Sequence, residues 1–85
     1  MQRQSVEVGD HVIFTDSHGR QHSALLTAVW GDWSHPDNPP AVNLLYVVHE
    51  DTRDDQYGRQ IQREPSVVHR KLNSAGAHCW HLPDE

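Results

Sequence analysis

Ala41-Val42-Asn43-Leu44-Leu45-Tyr46-Val47-Val48 is the stretch whose reading decides the fold. Its β-branched and aromatic residues, with prolines just before and acidic residues just after, describe a strand, expected at the centre of a sheet. Alternation puts Val42, Leu44, Tyr46 and Val48 on one face, and Asn43, Leu45, Val47 and His49 on the other. Both faces are partly apolar, although a small barrel has to bury only one. The second face is covered either by loops and the N-terminal segment or by another subunit. In neither case are Leu45 and Val47 expected to be bare.

Upstream, Gly31 to Pro40 holds three prolines among Asp, Asn and Ser, which remove backbone donors and exclude a central strand or helix interior. This is a Pro-rich loop, 31–40. Before it, Gln21 to Trp30 reads as a strand. Asp16-Ser17-His18-Gly19 supplies a turn, with Gly19 free to take a positive φ, and so joins that strand to an earlier one in a hairpin. In the earlier strand Val6, Val8, Val12 and Phe14 share parity and are expected on one face, with a bend at Gly9-Asp10.

Downstream, Glu50 to Asp55 reads as an acidic loop, and the charge then changes sign. Of seven Lys and Arg residues, Arg59, Arg63, Arg70 and Lys71 fall in this region. Pro65 should break Gln60 to Val68 into two short edge strands, or a strand and an irregular turn. Asn73 to Gly76 is a turn or loop, His78 to Leu82 a last short strand, and 83–85 a tail. No repeat, heptad or amphipathic helix is visible. The expectation is one mainly β domain spanning 1–85, a small barrel of about five short strands, with oligomerisation as added stability for so small a core.

Val8-Gly9-Asp10-His11-Val12-Ile13-Phe14, the Gly-containing turn and Ala24-Leu25-Leu26-Thr27-Ala28-Val29-Trp30 resemble the first hairpin of SH3-like barrels of the KOW and tudor type. That pattern covers about a third of the chain. Asn43-Leu44-Leu45-Tyr46-Val47, Gln56-Tyr57-Gly58-Arg59-Gln60-Ile61, Ser66-Val67-Val68-His69 and Trp80-His81-Leu82-Pro83 resemble small, mostly uncharacterised proteins of tailed bacteriophages and prophages. This second resemblance implies a viral context and transfers no activity.

The 85 residues carry a formal charge of −5, which opposes DNA binding because duplex affinity rests on neutralising phosphates. The single cysteine, Cys79, excludes an intrachain disulfide. No stretch approaches the roughly 20 apolar residues that span a bilayer. The expected location is the cytoplasm of an infected bacterial host, without membrane attachment.

Eight histidines invite a test for metal. Only His78, Cys79 and His81 are close together, and strand alternation sets His78 on the face opposite to the other two. No metal or other cofactor is expected. Cys79 lacks a marked oxyanion site, the acidic run reads as a solvated loop, and no phosphate-binding glycine loop is present. The chain is not expected to be an enzyme.

Binding is the better prospect. Arg59 and Arg63 suit forked hydrogen bonds to phosphate or carboxylate, Tyr57 can stack on a planar base, and Gln60 and Ser66 can read polar edges. His69, Arg70 and Lys71 extend the positive region. The plainer alternative is that these cations balance the acidic loop through exposed salt bridges of little worth. Trp30, at a strand end, reads as core. Trp33, with His35 beside it, reads as the exposed contact. The expected function is sequestration of a small anionic, nucleotide-type immune signal by a homo-oligomer that counters host defence. The alternative is a minor virion protein or a host-protein-binding adaptor.

Overall fold

The computed structural model describes residues 5–35, 37–48, 54–73 and 76–84. The strands are β1 (His11–Thr15), β2 (Gln21–Trp30), β3 (Ala41–Val47), β4 (Asp54–Asp55), β5 (Gly58–Arg59), β6 (Ile61–His69) and β7 (Cys79–His81). Five of them close a barrel in the order β1-β2-β3-β6-β7, while β4 and β5 form a separate two-stranded ribbon. All barrel pairings are antiparallel except β6 with β7. The expected mainly β domain with a small five-stranded barrel is the architecture observed.

Asp16 makes the first hairpin. Its Oδ1 accepts from the backbone N–H groups of His18 and Arg20, and Gly19 takes φ 82°, so the chain reverses within one turn. The strands it joins run in register from His11 opposite Leu25 to Thr15 opposite Gln21. Before β1, Gly9 at φ 93° bends the backbone while its N–H still reaches Leu26 O at 2.8 Å. That bend corrects the shared face expected for the first strand: Val12 and Phe14 are core and Val6 packs against it, but Val8 is exposed.

The barrel interior is filled by Val12, Phe14, Ala24, Leu26, Val42, Leu44, Val67, Trp80 and Leu82. On β3 the expected inward set holds, with Val42 and Leu44 fully buried and Tyr46 packed against them. Of the outward set, Val47 is exposed and Leu45 half-buried, so within one chain the described loops leave Val47 uncovered, and His49 lies outside the described residues.

Pro65 does not break the strand that contains it. β6 runs through it as a bulge: Leu44 faces Glu64 and Val42 faces Val67, so the extra residue is taken up opposite Asn43. The Asn43 side chain replaces the lost ladder contact by accepting from Ser66 N at 2.9 Å, and Ser66 sits at φ 53°. A second bulge falls at Thr27, where the register of β2 against β3 shifts between Leu26 and Ala28.

Of the acidic loop expected at 50–55, Glu50 to Arg53 lie outside the described residues, and Asp54–Asp55 form β4 instead. Ser74 and Ala75 of the expected turn, and Glu85 of the tail, also lie outside. A single 3₁₀ turn, Arg70–Leu72, links β6 towards β7, its first turn capped by His69 Nδ1 accepting from Lys71 N. His78, expected in the last strand, precedes it at φ 54°.

Candidate functional site

The Tyr57–Lys71 segment is spread along the molecule rather than folded into one pocket. Tyr57 is exposed at the turn of the β4–β5 ribbon. Arg59 is engaged: its Nε donates to Asp54 Oδ1 and its Nη1 to Val48 O, so it ties the ribbon to the end of β3. Gln60 is half-buried, and its carbonyl accepts from Val48 N. Arg63 is exposed on β6, opposite Leu45. Ser66 is exposed at the bulge, with its N–H already bonded to Asn43. Arg70 and Lys71 are exposed on the 3₁₀ turn. From Arg63 to His69 an extended strand covers roughly 20 Å, so Arg63 and the Arg70-Lys71 pair cannot contact one small anion together.

Two of the expected contacts lie in the interior. His69 is fully buried, its ring 4.7 Å from that of Trp80 and 5.7 Å from that of Trp33. Trp33 is itself only 9% exposed and meets Trp80 edge-on at 5.8 Å, so the Pro-rich loop closes over the barrel with its indole turned in. Trp30, by contrast, is 57% exposed, and its Nε1 donates to Asn43 Oδ1 at 2.9 Å. The expected roles of the two tryptophans are thus reversed. The Thr27 bulge is the cause: Val29 takes the inward position opposite Val42, and Trp30 follows on the outer side. His35 is exposed, its Nδ1 accepting from Asp37 N.

The barrel does bring together an outer face on β2, β3 and β6. Leu25 lies opposite Leu45, Leu45 opposite Arg63, and Val47 opposite Ile61. Leu25 is 46% exposed, Val47 56% and Ile61 50%. Arg63 is the cation set into this apolar row, and Trp30 stands on the same side further along β2. Leu25, Trp30 and Ile61 are the residues that sequence reasoning missed. Leu25 carries a signal that could have found it, as the one large apolar side chain among the outward positions Gln21, Ser23 and Leu25 of β2.

A polar cluster occupies one end of the interior. His22 Nε2 lies 2.8 Å from Asp16 Oδ2, and its ring packs 4.4 Å from Tyr46 and 6.1 Å from Phe14. Burial tends to raise the Asp16 carboxyl, but hydrogen bonds from His22, Arg20 N and His18 N outweigh it and hold the group at about 2. On the neighbouring strand, where Cys79 pairs with Thr15, burial pushes the Cys79 thiol up, with the Arg70 charge opposing. That direction disfavours the thiolate a nucleophile requires. Among the described residues no three His, Cys, Asp or Glu side chains are grouped to hold a metal ion, and no helix is long and apolar enough to cross a membrane.

No family model, curated protein or solved structure matches the chain.

Proposed function

We propose that the chain is a non-catalytic phage binding protein that sequesters a small anionic, nucleotide-type immune signal in the cytoplasm of the infected host, working as a homo-oligomer. One juxtaposition supports this reading: the exposed Arg63 side chain stands among the exposed apolar residues Leu25, Val47 and Ile61 and the half-buried Leu45. A cation can take phosphate while a flat apolar flank takes a base. Of Arg59 and Arg63, expected together at the site, Arg63 is the one this reading keeps, because Arg59 is committed to Asp54 and Val48.

Native mass spectrometry of protein purified from cells making nucleotide signals tests the proposal. The expected result is a multimer carrying a phosphate-bearing small molecule, which is lost in Arg63→Ala without a change in melting temperature. Protein recovered bare from such cells would overturn it.

The same face favours a second reading, an adaptor for a host protein or a minor virion component. Its supporting observation is Trp30, a large exposed indole beside the apolar row, as interface anchors commonly are. Under this reading Trp30→Ala removes a co-purifying host protein or the chain's place in purified virions, and Arg63→Ala leaves both intact.

A further inference from the structure

β6 is longer than the seam with β7 at which the barrel closes. This strand meets β7 only at Val68 and His69, so among the described residues no strand borders Ile61 to Val67 on the side away from β3. The direction of its backbone groups follows from the register. Val48 N donates to Gln60 O at 3.0 Å, while Val47 faces Ile61 and Leu45 faces Arg63. In an antiparallel ladder hydrogen-bonded and non-hydrogen-bonded pairs alternate, so Gln60, Gln62 and Glu64 bond to β3. The N–H and C=O groups of Ile61 and Arg63 point to the open side. Gln62 Nε2 donates to Arg63 O at 3.3 Å, which fits a carbonyl directed away from the ladder and leaves its second lone pair.

We infer that this edge pairs with the same edge of a second copy, antiparallel about a two-fold axis, with Ile61 opposite the partner's Arg63 and Gln62 opposite the partner's Gln62. Three symmetric registers oppose the outward-pointing residues. Setting Arg63 against the partner's Arg63 places like charges directly opposite and sets Ile61 against the partner's Pro65, which has no N–H to give. Setting Ile61 against the partner's Ile61 brings Arg63 against the partner's Arg59, again like against like. The remaining register avoids both. Each Ile61–Arg63 pair exchanges two N–H···O bonds, and Ile61 lies on the alkyl stem of the partner's Arg63.

Pro65 then ends the pairing, and the two-fold closes it, so the edge makes a dimer and no fibre. Leu45, Val47 and Ile61 of both copies merge into one outer face. Arg63 and the partner's Arg63 become diagonal neighbours with Cα atoms roughly 7–8 Å apart on that face. Only this last consequence bears on the anion-binding proposal, by giving a phosphate group two guanidiniums; the pairing itself stands with no ligand.

The test uses the full chain without nucleotide. Sedimentation at about 100 µM is expected to show a dimer. In the paired register Gln62→Cys places two sulfurs at a non-hydrogen-bonded position with Cα atoms about 4.5 Å apart, within bridging range. Mild oxidation should therefore yield a reducible disulfide dimer, at least ten-fold more than Arg63→Cys gives at its diagonal position. Cys79 is buried and does not compete. Arg63→Pro removes an N–H that β3 does not use, so a folded monomer is expected. A monomeric parent chain, or equal cross-linking of the two cysteine variants, would overturn the inference. If Arg63→Pro fails to fold, the cross-linking ratio alone decides. Ligand uptake enters none of these readouts, so failure here and failure of the nucleotide reading are separable.

Discussion

Asp16 Oδ2 lies 2.8 Å from Nε2 of His22, six residues along the chain and across the first hairpin. The same carboxylate accepts from His18 N and Arg20 N, so one side chain satisfies the turn and anchors an inward-facing ring. Asp16→Ala strands two turn N–H groups and the His22 ring together. Each buried or half-buried donor left without a partner costs about 1–3 kcal/mol, while water recovers part of the exposed turn. A loss of about 2 kcal/mol is expected, read as a fall in melting temperature of about 10 °C. A fall of under 2 °C would show that the turn does not depend on Asp16.

The same carboxylate fixes how stability responds to acid. Its folded value is lowered from the ordinary 3.8 to about 2, so the unfolded chain takes up this proton first as pH falls. Its contribution is fully present above pH 4 and is lost as pH drops towards 2. Melting temperature recorded from pH 5 to pH 2 should fall more steeply for the parent chain than for Asp16→Asn, which has no titrating group there. Parallel curves would remove the assignment.

The alternation of Ala41 to Val48 and the turn chemistry of Asp16 to Gly19 were enough to read the barrel, since period and positive φ are local properties. Bulges are not local in the same sense. At Thr27 and at Pro65-Ser66 one extra residue reverses every later side chain, and neither site is marked by a residue that requires it. That is why Trp30 and Trp33 exchange roles, and why Pro65, read as a break, lies within a continuous strand. The basic segment was legible as charge but not as geometry. Whether four cations converge depends on strand direction, and β6 carries Arg63 and Arg70 apart.

Asn43 shows how the bulge at Pro65-Ser66 is held. Its Oδ1 accepts from Trp30 Nε1 and from Ser66 N, each at 2.9 Å, and so joins β2 to β6 across β3. Both bonds use the side chain only as acceptor. Asn43→Ala should cost about 1–2 kcal/mol, whereas Asn43→Asp keeps an acceptor for both donors and should recover most of that loss. Chemical denaturation midpoints of the two variants make the comparison. Equal losses would mean that the oxygen is not what the bulge needs.

The exchanged tryptophans give a test of the Pro-rich loop. Trp33 packs against His69 and Trp80 at the end of the core, so Trp33→Ala removes a buried indole and leaves a cavity; large aromatic truncations of this kind cost about 3–5 kcal/mol. Trp30 is mostly solvated and loses one exposed hydrogen bond, so Trp30→Ala should cost under about 1 kcal/mol. The ordering runs against the reading in which Trp30 is core and Trp33 the contact residue, and urea denaturation of the two variants distinguishes them directly. If Trp30→Ala were the more damaging, the loop would not close over the barrel as described. The outer face would then lose the one large aromatic that makes it a candidate contact surface for a protein partner.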